Sequence, residues 1–162
     1  MESLARILLV EDDPRDVELT MTALADYNLS NEVVVAHDGE EALDYLYCRG
    51  KFQGRTGWDP AVMLLDLKLP WMDGFDVLTW LRRQRQFDTL PVVVLTSSRL
   101  QSDIDRSREM GVYDYRVKPH DFEDLVRLLD DVGKCWLDER FNRYCLLHGA
   151  QPEAPPSKIS SG

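Results

Sequence analysis

The chain has few cysteines, no long apolar run and a shortage of positive charge. Its three cysteines, Cys48, Cys135 and Cys145, are odd in number and widely spaced, which suggests neither a disulfide framework nor a zinc site. The three histidines, His37, His120 and His148, stand apart from one another and from any cysteine pair, and read as surface or loop residues. No apolar stretch approaches the roughly 18 residues that a membrane helix needs, so no membrane span is expected. A strand-like segment already begins at Arg6, which leaves no room for a signal peptide and makes the cytoplasm the expected location. With 29 acidic against 19 basic residues the net charge is −10, which would repel a phosphate backbone and argues against direct nucleic-acid binding. No glycine follows the first apolar segment, and neither Gly50-Lys51 nor Gly133-Lys134 has a glycine five residues earlier, so the phosphate loop of a nucleotide-binding fold is missing.

What is present is an alternation of short apolar runs and amphipathic segments. Arg6-Ile7-Leu8-Leu9-Val10 is a buried strand that ends in Glu11-Asp12-Asp13. Asp13 before Pro14 fits a helix N-cap with proline at N1, and Val17, Met21 and Leu24 follow at the spacing of one helical face until Asn28 to Asn31. Glu32 to Ala36 is a second strand, and His37-Asp38-Gly39 turns into a helix with Ala42, Tyr45 and Leu46 on one face. The stretch from Arg49 to Pro60, with three glycines and no periodicity, reads as a long loop. Ala61-Val62-Met63-Leu64-Leu65 is a third strand, stopped by Asp66.

After Gly74 a helix carries Phe75, Leu78 and Leu81 inward and places Arg82, Arg83 and Arg85 in its last turns. Pro91 to Leu95 is a fourth strand ending in Thr96-Ser97-Ser98. A polar helix over about Gln101 to Met110 stops at a C-cap glycine, Gly111. Val112 to Val117 is a less apolar edge strand, ended by Lys118-Pro119. A last helix from about Asp121 aligns Phe122, Leu125, Leu129, Val132 and Trp136. The expected division is a domain over 1–136, a helical extension over 137–150 and a disordered Pro/Ser/Gly tail over 151–162.

Five strands alternating with helices, joined by right-handed crossovers, predict an α/β flavodoxin-like fold: a five-stranded parallel sheet, order 2-1-3-4-5, with helices on both faces. In that order strands one and three are neighbours, so Glu11, Asp12 and Asp66 meet at their C-terminal tips, where ligands bind in open α/β sheets. Three carboxylates this close repel unless a cation lies among them or some are protonated, and a hard oxygen set with room for water suits Mg²⁺. The fourth and fifth strands add the Thr96 hydroxyl and the Lys118 ammonium. Each piece alone has a blander reading, as a helix cap or a solvated lysine. Their joint placement is the signal.

These residues resemble a response-regulator receiver domain of two-component signalling. Val10-Glu11-Asp12-Asp13, Leu65-Asp66-Leu67-Lys68-Leu69-Pro70 with Met72-Asp73-Gly74, Leu95-Thr96-Ser97 and Lys118-Pro119 with Tyr115 fit that family in order and spacing, over about Leu4 to Trp136. The resemblance implies a signalling protein that catalyses its own phosphorylation and dephosphorylation. Asp66 would be the nucleophile that takes a phosphoryl group from a kinase phosphohistidine. Mg²⁺ would be held by Asp12, Asp66 and the backbone carbonyl of Lys68, with Glu11 acting through water. Lys118 and Thr96 would bind phosphoryl oxygens, and Tyr115 would turn inward as Thr96 moves, switching the surface made by the fourth helix, fifth strand and fifth helix. Lys118-Pro119 would be a cis peptide. The resemblance also implies that the positions of Lys68 and Ser98 tune the chemistry rather than carry it; Lys68 would either touch the phosphoryl group and alter the acyl-phosphate lifetime or be simply solvated.

The segment Asp38 to Tyr47, the loop Arg49 to Phe52 and Trp136-Leu137 narrow the likeness to small stand-alone regulators that partner phytochrome-type histidine kinases, bacteriophytochromes among them. That implies a homodimer through the last strand and helix, with Tyr113, Leu128 and the apolar set after Val132 as candidates. Kinase specificity would lie on the first helix near Arg15, Glu18, Leu19 and Thr22. Two rival readings remain. A dehalogenase-type phosphatase needs an Asp two residues past Asp66, where Lys68 stands. A phosphorylation-independent interaction scaffold on the same fold would need none of the site residues, yet all are present.

Overall fold

The computed structural model describes residues 7–25, 33–55 and 59–132. Five strands, β1 (Ile7–Val10), β2 (Val33–Ala36), β3 (Val62–Leu65), β4 (Val92–Thr96) and β5 (Asp114–Val117), form one sheet in the order β2-β1-β3-β4-β5, and every pairing is parallel. Helices α1 (Pro14–Ala25), α2 (Gly39–Leu46), α3 (Gly74–Arg82), α4 (Gln101–Glu109) and α5 (122–132) alternate with them. The predicted class and strand order are the observed ones. The helical extension over 137–150, the tail over 151–162, the helix end at Asn28 to Asn31 and the apolar set after Val132 lie outside the described residues.

The period of two along a strand divides the core. Leu8, Val10, Met63, Leu65, Val92 and Val94 point to one face and pack with Ala42, Tyr45, Phe75 and Leu78 of α2 and α3. Ile7, Leu9, Val62, Leu64, Val93 and Leu95 point to the other and pack with Ala23 and Leu24 of α1 and Leu125, Leu129 and Val132 of α5. Covered on both sides, β1, β3 and β4 are buried at every residue, which is why they read as unbroken apolar runs. β5, at the edge, is only half-buried throughout.

Several expectations shift by a turn or less. The buried residues of α1 are Thr20, Ala23 and Leu24, with Val17 and Met21 half-buried. Phe122 is exposed at the start of α5. β5 begins at Asp114, because Gly111 and Val112 are used to end α4: the Gly111 N–H bonds Arg108 O (3.0 Å) and the Val112 N–H bonds Ser107 O (3.3 Å), with Gly111 at φ +76°, a Schellman ending. α3 stops at Arg82, and Arg85 belongs to a separate 3-10 turn, Arg85–Phe87, which returns the chain so that Phe87 is buried edge-on to Tyr47 with ring centroids 5.5 Å apart. Arg82 instead reaches Met110 O (2.7 Å) and Gly111 O (3.0 Å) at the end of α4. The Arg49–Pro60 loop contains the 3-10 turn Gly50–Phe52, and Phe52 packs edge-on against Tyr45 at 5.0 Å.

The segment that leaves β3 is held by α3. Asp73 caps that helix: its Oδ1 accepts the Asp76 N–H (2.9 Å), while Asp76 Oδ2 accepts the Asp73 N–H (3.1 Å), a reciprocal capping box. The Gly74 N–H bonds Leu67 O (2.9 Å). A Cβ on Gly74 would lie 2.6 Å from Asp66 O and 2.7 Å from Leu67 Cα, both backbone atoms that cannot swing aside. Gly74→Ala is therefore expected to destabilise the fold by about 1–3 kcal/mol or more, read as a lower urea midpoint at unchanged slope.

Candidate functional site

The C-terminal ends of β1, β3, β4 and β5 converge on Asp66. Its N–H bonds Val10 O at the tip of β1 (3.0 Å), which fixes the backbone of the residue just beyond β3. The residue is 7% exposed; Oδ1 accepts the Lys68 N–H (3.3 Å) and Oδ2 accepts a hydrogen bond from Lys118 Nζ (2.9 Å). Glu11 is buried, its N–H bonded to Ala36 O (3.0 Å). Its Oε1 accepts the Asp13 N–H (3.1 Å) and its Oε2 a hydrogen bond from Lys118 Nζ. Asp12 is exposed. One carboxylate oxygen from each of Glu11, Asp12 and Asp66 lies within 4.8 Å of the others, as adjacent parallel strands require. This oxygen-only set fits a hard divalent cation.

Lys118 is the counter-charge. Its N–H bonds Thr96 O (2.8 Å), anchoring the stem between β4 and β5, and the ammonium contacts Glu11, Asp66 and Asp16 Oδ2 (2.8 Å). Burial alone would lower its pKa, but hydrogen bonds to Asp16 and Glu11 and the charge of Asp66 outweigh that and raise it. Burial and the Asp66 charge push Glu11 up to about 7, even though Lys118 pulls the other way. The implied cis bond at Lys118-Pro119 is not found: the described residues contain no cis peptide, and Lys118 reaches the carboxylates from a trans bond.

Thr96 is fully buried, and its Oγ1 accepts the Ser98 N–H (3.3 Å). Ser98 is buried as well; its Oγ donates to Asp103 Oδ2 (2.5 Å) on α4 and its carbonyl accepts the Tyr115 hydroxyl (2.9 Å) from β5. Tyr115 is half-buried against the α2/α3 side of the core. Burial and the charges of Asp103 and Asp66 raise its pKa, against a lowering contribution from Ser98. The Lys68 side chain is exposed. Trp71, five residues past Asp66, is 95% exposed and sits at φ +61°, a conformation that a bulky residue rarely adopts.

Of the site residues singled out in the sequence, Glu11, Asp12, Asp66, Lys68, Thr96, Ser98 and Lys118 lie at the C-terminal ends of the strands, while Tyr115 lies within β5, opposite Val94, and is joined to them through its hydroxyl and Ser98 O. Two participants were not singled out. Asp16 stands three residues past the cap Asp13, in the first turn of α1, and Asp103 five past Ser98, in the first turn of α4. First-turn acids ordinarily complement the helix dipole, so nothing in the sequence marks these two for a further contact.

Residues 7–130 match the response regulator receiver domain family. A solved bacteriophytochrome response regulator, AtBRR, is 53% identical, with a TM-score of 0.69 over 81% of this chain and 94% of that one. The phosphorylated cyanobacterial phytochrome response regulator RcpA is 34% identical, with a TM-score of 0.76 over 83% and 95%. Response regulator Rcp1 of Synechocystis sp. is 33% identical over 82% of this chain and 88% of its own length. The Mn²⁺-bound form of response regulator Rcp1 has a TM-score of 0.72 at 32% identity, covering 83% of this chain and 95% of that one.

A cation held by the trio competes with a proton at Glu11. Because binding would take the charged carboxylate and release that proton, affinity for a divalent cation should rise with pH through about 7. Titrations between about pH 6 and about pH 8 should show a gain of at most about tenfold per pH unit for one proton, and Glu11→Gln should flatten the dependence.

Proposed function

This chain belongs to the response-regulator receiver family, and from that premise we propose that it accepts a phosphoryl group on Asp66 from a sensor histidine kinase of the bacteriophytochrome type, with Mg²⁺ at the carboxylate trio. The observation that carries this reading is the contact of Lys118 Nζ with Asp66 Oδ2 at 2.9 Å. A buried carboxylate stands beside the one cation from which an incoming phosphoryl oxygen would take over a hydrogen bond. An Asp66 oxygen attacks phosphorus, the P–N bond to the kinase histidine breaks, and the imidazole leaves with the electron pair, giving an acyl phosphate. Lys118 pairs with one phosphoryl oxygen. Thr96 Oγ1 already accepts from Ser98, which leaves its hydroxyl proton to donate to another.

Asp12, Asp66 and the Lys68 backbone carbonyl would hold Mg²⁺, with Glu11 acting through water. The ion would neutralise charge on the transferring oxygens. The Mn²⁺-bound Rcp1 neighbour and the oxygen-only donor set support this. Ser98 joins Thr96 to Asp103 on α4 and to Tyr115 on β5, so a shift of Thr96 toward the phosphoryl group would be passed to the α4-β5-α5 face. The kinase would dock on α1, where Arg15, Glu18, Leu19 and Thr22 are all exposed. Lys68, exposed at the rim, would modulate the lifetime of the acyl phosphate. We place this activity in the cytoplasm, where two-component kinases present their phosphohistidine, and in a homodimer formed through β5 and α5, where Tyr113 and Leu128 pack only partly against their own core.

Incubation with acetyl phosphate and Mg²⁺ should place one base-labile phosphoryl group on the wild type and none on Asp66→Asn, while Lys68→Ala should change the rate of its loss. Labelling that survives Asp66→Asn removes the proposed acceptor. Sedimentation velocity should return a dimer that Leu128→Glu converts to monomer without loss of phosphorylation.

A further inference from the structure

We propose that Asp16 is a positioning residue that keeps the Lys118 ammonium beside Asp66 when a divalent cation occupies Glu11, Asp12 and Asp66. The inference rests on the reading of that trio as a cation site. An ammonium has three N–H donors, and in this structure they meet three carboxylates: Glu11, Asp16 at 2.8 Å and Asp66 at 2.9 Å. Two of those acceptors belong to the trio. Asp16 does not.

The consequence follows from charge. A dication among the trio repels an ammonium that shares its carboxylates, so Lys118 must loosen its hold on Glu11 as the ion enters. With Glu11 and Asp66 both drawn to the ion, an ammonium with no other acceptor would compete with it for the same oxygens. Asp16 supplies a carboxylate outside the trio. It is carried on the first turn of α1, so its backbone is fixed by the helix that Asp13 caps through its Oδ1 and the Arg15 N–H (2.8 Å). The Lys118 side chain is 15% exposed and that of Asp16 35%, so the pair is shielded from solvent on the lysine side. Without Asp16 the same ammonium has only Glu11 and Asp66 to bond, and it competes with the cation for both.

A simpler account is that Asp16 adds one more negative charge to the field that attracts a cation. A double-mutant cycle separates the two. Mn²⁺ binding, followed by loss of the free-ion electron paramagnetic resonance signal, is measured for the wild type, Asp16→Asn, Lys118→Met and the double variant, with competition by Mg²⁺. If Asp16 acts through Lys118, Asp16→Asn weakens binding by about fivefold or more with the lysine present and by less than about twofold in Lys118→Met. Asp16→Glu, which keeps the charge, restores most of the loss. Equal weakening in both backgrounds, or none in either, overturns the inference while leaving the cation site intact. A wild type that takes up no Mn²⁺ overturns both. Asp16→Ser run through the same cycle covers the case in which Asp16→Asn does not fold, as judged by circular dichroism.

Discussion

The site depends on one interaction, the Lys118 ammonium set among carboxylates that would otherwise repel. Strand pairing forces those carboxylates together: β1 lies beside β3, and Glu11 and Asp66 follow directly on their last residues. Buried ion pairs of this kind recover their desolvation cost only when geometry and hydrogen bonding are favourable. Here burial more than neighbouring charge keeps Glu11 pushed up to about 7 beside a cation. The carboxylates of Glu11, Asp12, Asp66 and Asp16 outnumber the Lys118 ammonium at this end of the sheet, which is the condition under which a metal ion or an altered charge at Asp66 has the most effect.

That cluster needs a backbone that does not move. Asp66 is tied by its N–H to β1, and the chain beyond it is pressed against the N-terminus of α3, where Gly74 leaves no space for a side chain. The capping box of Asp73 and Asp76 fixes the helix end that does the pressing. The Gly in Met72-Asp73-Gly74 is thus part of the site's geometry, although it touches no reacting group.

Much of this was legible in the sequence because the residues concerned obey local rules. Buried parallel strands are unbroken apolar runs, and Asp66 interrupts one; Asp13-Pro14 announces a helix start; Gly111 announces a helix end. The pieces that were not legible depend on what lies across space. Nothing near Asp16 in sequence indicates that Lys118, 102 positions later, will reach it, and Asp103 looks like any first-turn acid until Ser98 is seen against it. The start of β5 shifted because the ending of α4 overrode periodicity. Arg85 left α3 because burying Phe87 required a turn there. Lys118, its N–H tied to Thr96 O, reaches the carboxylates through its long side chain.

Ser98 is where the site meets the rest of the molecule. Its N–H, hydroxyl and carbonyl are used in three different directions, toward Thr96, Asp103 and Tyr115. Thr96 has its backbone in a central strand and cannot translate far, so a change at its hydroxyl is felt by the loop that follows rather than by the sheet. The loop has no independent anchor of its own at Leu100, which begins α4 without a side-chain cap, and its Leu100 N–H bonds back to Ser98 Oγ (3.3 Å). A displacement of Ser98 must therefore either break the Asp103 and Tyr115 contacts or carry α4 and the Tyr115 ring with it. The second course keeps both of those contacts and so loses fewer hydrogen bonds.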